Sequence, residues 1–125
     1  MDNLQICAPR SAQAAVAKAI PALADWRRGN RREIARRAAA LRQAMAKLPA
    51  WHIDSLGAYF AYVRHPFEGI SSEVVAEKLA REAGVVCLPG AFFGEGQENH
   101  LRFAFANADA PTILELEERL KNFRL

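Results

Sequence analysis

A chain of 125 residues has the length of one domain and can bury a core without disulfide or metal staples. Half of it is hydrophobic and a quarter charged, an ordinary globular balance, and its apolar runs are far too short to span a bilayer. The net charge of +3 is unevenly placed: from Trp26 to Lys47 eight Lys or Arg stand against one acid, Glu33, so the remainder is net negative.

Met1-Asp2-Asn3-Leu4 shows no basic region followed by an apolar core, so no signal peptide is visible and a cytoplasmic location is expected. Met1 to Pro9 reads as extended or looped, because Pro9 disfavours helix at Ala8. Ser11 is placed to cap a short Ala-rich helix, Ala12 to Ile20, which Pro21 interrupts. Ala24 to Leu48 reads as a long helix ended by Pro49. Ile34, Ala38, Leu41, Met45 and Leu48 form its apolar face, and Arg28, Arg32 and Arg36 lie on another. That basic stretch permits a nucleic-acid reading. A solvated helix face is preferred, since the helix carries a full apolar stripe and no aromatic residue interleaves the basic ones.

Trp51 to Asp54 reads as a short strand or turn. Gly57 to Val63 is apolar on both sides and predicts a strand packed on both faces, or on one face plus an interface. Ser71 or Ser72 should cap the next helix, with Glu73 in its first turn, a core face of Val75, Leu79 and Ala83, and Gly84 closing it. The connection from Gly57 to Leu88 is long enough for a right-handed crossover between parallel strands. Asp109 should cap the last helix, whose inner face is Ile113, Leu116, Leu120 and Phe123. The fold class expected is α/β: a small mixed sheet with helices packed on one side, and a long helix leading into it. Cys7 and Cys87 have no metal-ligand spacing and read as reduced, buried small hydrophobes. His52, His65 and His100 stand on different elements and read as surface or loop histidines, not a metal site.

The most informative stretch is Gly84 to Asn107. A short apolar run, Val85 to Leu88, stops at Pro89-Gly90, and a loop follows with Gly90, Gly94 and Gly96. From His100 to Ala106, Leu101, Phe103 and Phe105 alternate with Arg102, Ala104 and Ala106, the period of a two-faced strand. A guanidinium beside small residues on a packed strand needs an anion or acceptors, because burying it unpaired is costly. The residues alone leave two partners open: a ligand anion, or a structural ion pair with Glu95 or Glu98.

Pro-Gly-Ala-x-Phe-Gly from Pro89, then Leu-Arg-x-x-Phe-Ala from Leu101, closely resembles the C-terminal segment of fold-type-I, pyridoxal-phosphate-dependent aminotransferases of the aspartate-aminotransferase-like class. Leu56-Gly57-Ala58-Tyr59-Phe60 resembles the start of a small-domain strand in that family. Asn3 to Arg10 with the Ala-rich helix looks like the segment that follows its catalytic lysine strand near the dimer contact. The resemblance implies that Arg102 binds the substrate α-carboxylate. It also implies that Gly90 and Gly94 let the loop fold close to the substrate, and that Phe92 or Phe93 walls the pocket. Residues 1–23 would be an arm and short helix normally packed on a large domain, and 24–125 the small C-terminal domain. A full-length relative would use pyridoxal 5'-phosphate, act on amino acids and 2-oxo acids, and form a homodimer, with no nucleic-acid or membrane partner. The four lysines, Lys18, Lys47, Lys78 and Lys121, lie in no Ser-x-Ser-Lys-like context. No Asn-Pro-x-Gly motif is present, and no buried-strand Asp is available for a pyridine nitrogen. The expectation is therefore a truncated or excised C-terminal fragment that binds no cofactor, has no catalytic residue and is inactive alone. The alternative is a free-standing α/β module that binds a small anion or nucleic acid through its basic helix, residues 26–47.

Overall fold

The computed structural model describes residues 9–125. The arm expected over Met1 to Pro9 and Cys7 lie, but for Pro9, outside them. The chain divides into two compact units, Met1–Glu33 and Ile34–Leu125, and the boundary falls inside the long helix.

In the first unit, α1 runs Arg10–Ala22. Pro9 stands at its N-cap and no side chain caps it, so Ser11 is a helical residue and not the cap expected. Pro21 lies inside the last turn and does not stop the helix before it: the amide of Leu23 donates to the Ala19 carbonyl at 2.9 Å and carries the ladder past the missing N–H. No residue of α1 is buried. The helix α2, Ala24–Met45, begins in this unit with Asp25 in its first turn, ion-paired to Arg28.

In the second unit the rest of α2 presents the face read from its spacing. Leu41 and Met45 are buried, Ile34 and Ala38 half-buried, and Leu48 is buried just past the helix end. A hairpin follows: β1, His52–Gly57, and β2, Phe60–Arg64, joined at Ala58-Tyr59. The single strand expected over Gly57 to Val63 is thus a turn plus a strand. Ala58 adopts φ 47, the only positive φ of a non-glycine among the described residues. Of the two packings expected, β2 shows one packed face and one open face: Ala61 and Val63 are buried, while Phe60 and Arg64 are exposed.

Helix α3, Ser72–Lys78, continues as a π-helical turn, Leu79–Ala83, that Gly84 ends at φ 64. The core face expected of this helix is present, with Val75 and Leu79 buried and Ala83 half-buried. β3 is short, Leu88–Pro89, and a 3-10 turn, Gly90–Phe93, follows it at once. β4 spans His100–Ala104, and α4, Ala110–Leu114, and α5, Leu116–Asn122, close the chain. The Asp109 side chain accepts from the Thr112 amide at 3.0 Å and caps α4 as expected.

The sheet order is β1-β2-β4-β3. All of its pairs are antiparallel, so it is not the mixed sheet expected. β2 and β3 do run in the same direction, but β4 lies hydrogen-bonded between them and each pairs with β4 instead. The α/β class stands. Ala61 and Val63 of β2, and Leu101 and Phe103 of β4, join Leu41, Met45, Val75, Leu79, Ile113 and Leu120 in one core on the helical side. Each of these side chains larger than Ala61 contributes about 1.5–3 kcal/mol by leaving water.

Candidate functional site

The other face of the same strands carries the polar chemistry. Register places Tyr62 opposite Arg102, Arg64 opposite His100, and Phe60 opposite Ala104. On β3, Leu88 lies opposite Arg102 from the other side. Arg102 is half-buried there. Its Cζ lies 4.4 Å from the centroid of the Phe60 ring and 4.4 Å from that of Phe93. Among the described residues no carboxylate forms a salt bridge with it. The structural ion pair with Glu95 or Glu98 is therefore absent. Glu98 instead accepts at 3.3 Å from the amide of Gly96 in its own loop. Two hollows open beside the guanidinium. One, of about 410 Å³, is lined by Ser55, Leu56, Gly57, Phe60, Tyr62 and Arg102. The other, about 550 Å³ and more apolar, runs from Phe60 and Arg102 past Val86 and Leu88 to Leu116.

The loop that brings Phe93 to Arg102 is held by backbone contacts. Gly90 is buried, and a Cβ there would collide with the Gln97 carbonyl oxygen and come within 2.6 Å of that of His100. Gly90 therefore serves a close approach of this loop to its own backbone. Gly94, at φ 138, supplies a backbone turn that side-chain-bearing residues rarely adopt. Ser72 is fully buried; its Oγ accepts from the Ala91 amide at 3.1 Å and its own amide donates to the Glu98 carbonyl at 2.8 Å. Ser71 stands at the N-cap of α3 without a side-chain hydrogen bond there, and the Ser72 hydroxyl is engaged by the loop instead.

His65 completes the anchor, and it is buried, not a surface histidine. Its amide donates to the Asn99 carbonyl at 3.0 Å, its Nε2 lies 3.2 Å from the Glu98 carbonyl, and its Nδ1 accepts from the Phe67 amide at 3.3 Å. Those partners assign the neutral ring with its proton on Nε2. Burial lowers its pKa; the Glu98 carbonyl opposes that shift and nearby His100 adds to it. Beside Arg102, Tyr62 stacks on His100, centroids 4.8 Å apart and planes 8° from parallel, and donates to Gln97 Oε1 at 2.9 Å. Burial, and then the charge of Glu98, raises the Tyr62 pKa. His100 Nε2 meets Asp54 Oδ2 at 2.8 Å. Asp54 sits at the β1 bulge between Ile53 and Ser55, which turns its side chain toward β4.

The structure thus brings Arg102 and Phe93 together and sets Gly90 beneath their loop. Phe92 and Phe93 are both exposed, and neither lines either hollow. Phe60, Tyr62, Ser72 and His65 were missed as site residues. Phe60 and Tyr62 become legible only once β2 is paired antiparallel with β4. Cys87 is half-buried and lines the apolar hollow, and burial pushes its thiol up to about 12. Among the described residues no group of three or more His, Cys, Asp or Glu could hold a metal ion, and no helix is long and apolar enough to cross a membrane.

Residues 2–120 match the family model described as Aminotransferase class I and II. The chain is 31% identical over 98 residues to aromatic-amino-acid aminotransferase 2 of Thermococcus litoralis, covering 77% of this chain and 25% of that protein. It is 38% identical over 69 residues to the LL-diaminopimelate aminotransferase of Aquifex aeolicus, covering 54% and 17%. Among solved structures, one from Methanococcus jannaschii, described as similar in its active site to kynurenine aminotransferases, superposes with a TM-score of 0.75 at 28% identity, over 98% of this chain and 32% of the other. The α-aminoadipate aminotransferase of Thermus thermophilus, complexed with N-(5'-phosphopyridoxyl)-L-leucine, superposes with a TM-score of 0.74 at 25% identity, over 96% and 33%. The chain spans a quarter or less of the length of these curated relatives.

Proposed function

This chain belongs to the class I and II aminotransferases, and from that premise we propose that it is the carboxylate-binding C-terminal part of a pyridoxal-phosphate-dependent aminotransferase. Residues 24–125 form the small domain in this reading, and residues 1–23 an arm that packs on the rest of the enzyme. One observation carries the reading. Arg102, half-buried on a packed strand, offers its guanidinium beside two hollows, and no carboxylate among the described residues pairs with it. A planar fork of N–H donors in that setting suits a planar carboxylate, and its charge favours an anion over any neutral ligand. Phe93 packs against the guanidinium, and Gly90 and Gly94 hold the loop that presents it.

Pyridoxal phosphate supplies the carbonyl that takes up an amino group in this family, but the residues of this chain do not fit it. Lys18, Lys47 and Lys121 are exposed, Lys47 and Lys78 are ion-paired to Glu117 and Glu82, and no lysine lines either hollow at Arg102. Those placements support a part that is inactive alone and holds no cofactor. The role left to it is to bind and orient an amino-acid or 2-oxo-acid carboxylate for groups elsewhere in a homodimeric enzyme. The test is Arg102→Lys in the full-length enzyme. We expect kcat/KM for α-carboxylate substrates to fall by orders of magnitude, about 3 kcal/mol or more at the transition state, with an amine lacking the carboxylate far less affected. An enzyme that keeps its substrate preference and efficiency would overturn the assignment.

A further inference from the structure

Arg102 differs from the other arginine of the sheet, Arg64, in what touches it. Arg64 reaches a carboxylate, Asp54, at 3.5 Å. Arg102 instead meets two phenyl rings, each centred 4.4 Å from its Cζ. The rings come from separate elements: Phe60 from the first position of β2, Phe93 from the last position of the 3-10 turn. Among the described residues they make no ring contact with each other. Phe93 is itself braced edge-on against Tyr62, centroids 6.4 Å apart at 80°. Both rings are otherwise substantially in water, Phe60 39% and Phe93 45% exposed, so neither is there to fill the core.

Resting on the reading of Arg102 above, we propose that Phe60 and Phe93 are its positioning residues. They cover the faces of the guanidinium, leave its N–H edge as the part offered to a ligand, and so give this chain by itself a formed site for a planar monocarboxylate. The physical basis is preorganisation. An arginine side chain loses much rotamer freedom when it fixes a ligand, and a guanidinium already held between rings has lost it beforehand. The rings also exclude water above and below the plane, which strengthens in-plane hydrogen bonds. They cannot compete with the ligand, because an aromatic face attracts the cation without accepting its in-plane donors. The braced loop explains why Phe93 holds its place: Ser72 ties Ala91, and Gly90 allows the turn to lie against the Gln97 and His100 carbonyls.

The experiment uses the 125-residue chain, labelled with 15N, and sodium propionate as the probe. The signals followed are the Arg102 Nε–Hε pair and the backbone amides of Tyr62 and Phe103. We expect saturable shifts in the unaltered chain and their loss in Arg102→Lys. Phe93→Leu should weaken binding about threefold, and Phe60→Leu with Phe93→Leu about tenfold, in line with cation–π contributions at partly exposed sites. In both, the Arg102 Hε signal should move toward that of a free arginine while the β2–β4 amides stay in place, a signature that a merely structural role would not produce. Phe93→Tyr, which keeps the ring, should bind as the unaltered chain does. The single variants carry the test if the double one does not fold. Leu variants that bind propionate like the unaltered chain, with an unchanged Hε signal, overturn the role of the rings and leave Arg102 standing. Binding that survives Arg102→Lys overturns the assignment of Arg102 as well. No saturable shift in the unaltered chain overturns the proposal that this chain alone holds a formed site.

Discussion

The two faces of the β2–β4 pair share one hydrogen-bond ladder and differ in almost everything else. Ala61, Val63 and Leu101 are 0% exposed, while one residue away Phe60, Tyr62, His100 and Arg102 face outward, Tyr62 stacked on His100 and Arg102 set against the Phe60 ring. Alternation along a strand assigns each residue to one side and so separates two tasks. The helical side holds the fold. The open side can carry an unpaired cation and a stacked histidine, because their loss removes little buried apolar surface.

That separation is open to test, beginning with the largest effect. Leu101→Ala removes a side chain from the buried face and should cost about 2–5 kcal/mol in urea unfolding. A loss below about 1 kcal/mol would mean that the inner face is not the seat of stability. Next comes the loop joining the faces. Gly90→Ala forces a Cβ into two carbonyl oxygens and should cost about 1–3 kcal/mol while shifting the Phe93 and Arg102 signals together. A variant as stable as the parent, with those signals unmoved, would show that the loop yields freely.

The pH dependence is smaller and has a definite sign. The neutral His65 ring is accommodated in the fold and a second proton finds no acceptor, so its folded pKa lies below the ordinary 6.5. The folded state then binds fewer protons than the unfolded one. Stability is complete above about pH 6.5 and is lost as pH falls below it toward the folded value. Unfolding midpoints should decline over that acidic range, and His65→Gln should flatten the decline. Equal pH profiles for the two proteins would exclude His65 as its source. The smallest expected effect is the most telling. Arg102→Lys in this chain should change folding stability by less than about 0.5 kcal/mol, since no ion pair is broken. A loss as large as that of Leu101→Ala would erase the distinction between the faces.

The amino-acid sequence by itself determined the parts that depend on local periodicity and backbone chemistry. The apolar stripe of α2 from Ile34 to Met45, the Asp109 cap, the Gly84 stop and the alternation around Arg102 all follow from 3.6- and 2-residue repeats or from one residue's conformational freedom. The motifs around Gly90 and Arg102 carried the family as well. Only the tertiary structure decided which strands pair. It inserted β4 between β2 and β3, split Gly57 to Val63 at Ala58-Tyr59, and drew Ser72 and His65 away from cap and surface to anchor a loop. It also brought Phe60 to Arg102, 42 positions along the chain, through a register no local pattern encodes. The physical reason is one of range. Helical faces and caps are settled by neighbours within a turn, whereas strand order and cross-strand contacts are settled by which distant surfaces bury one another best.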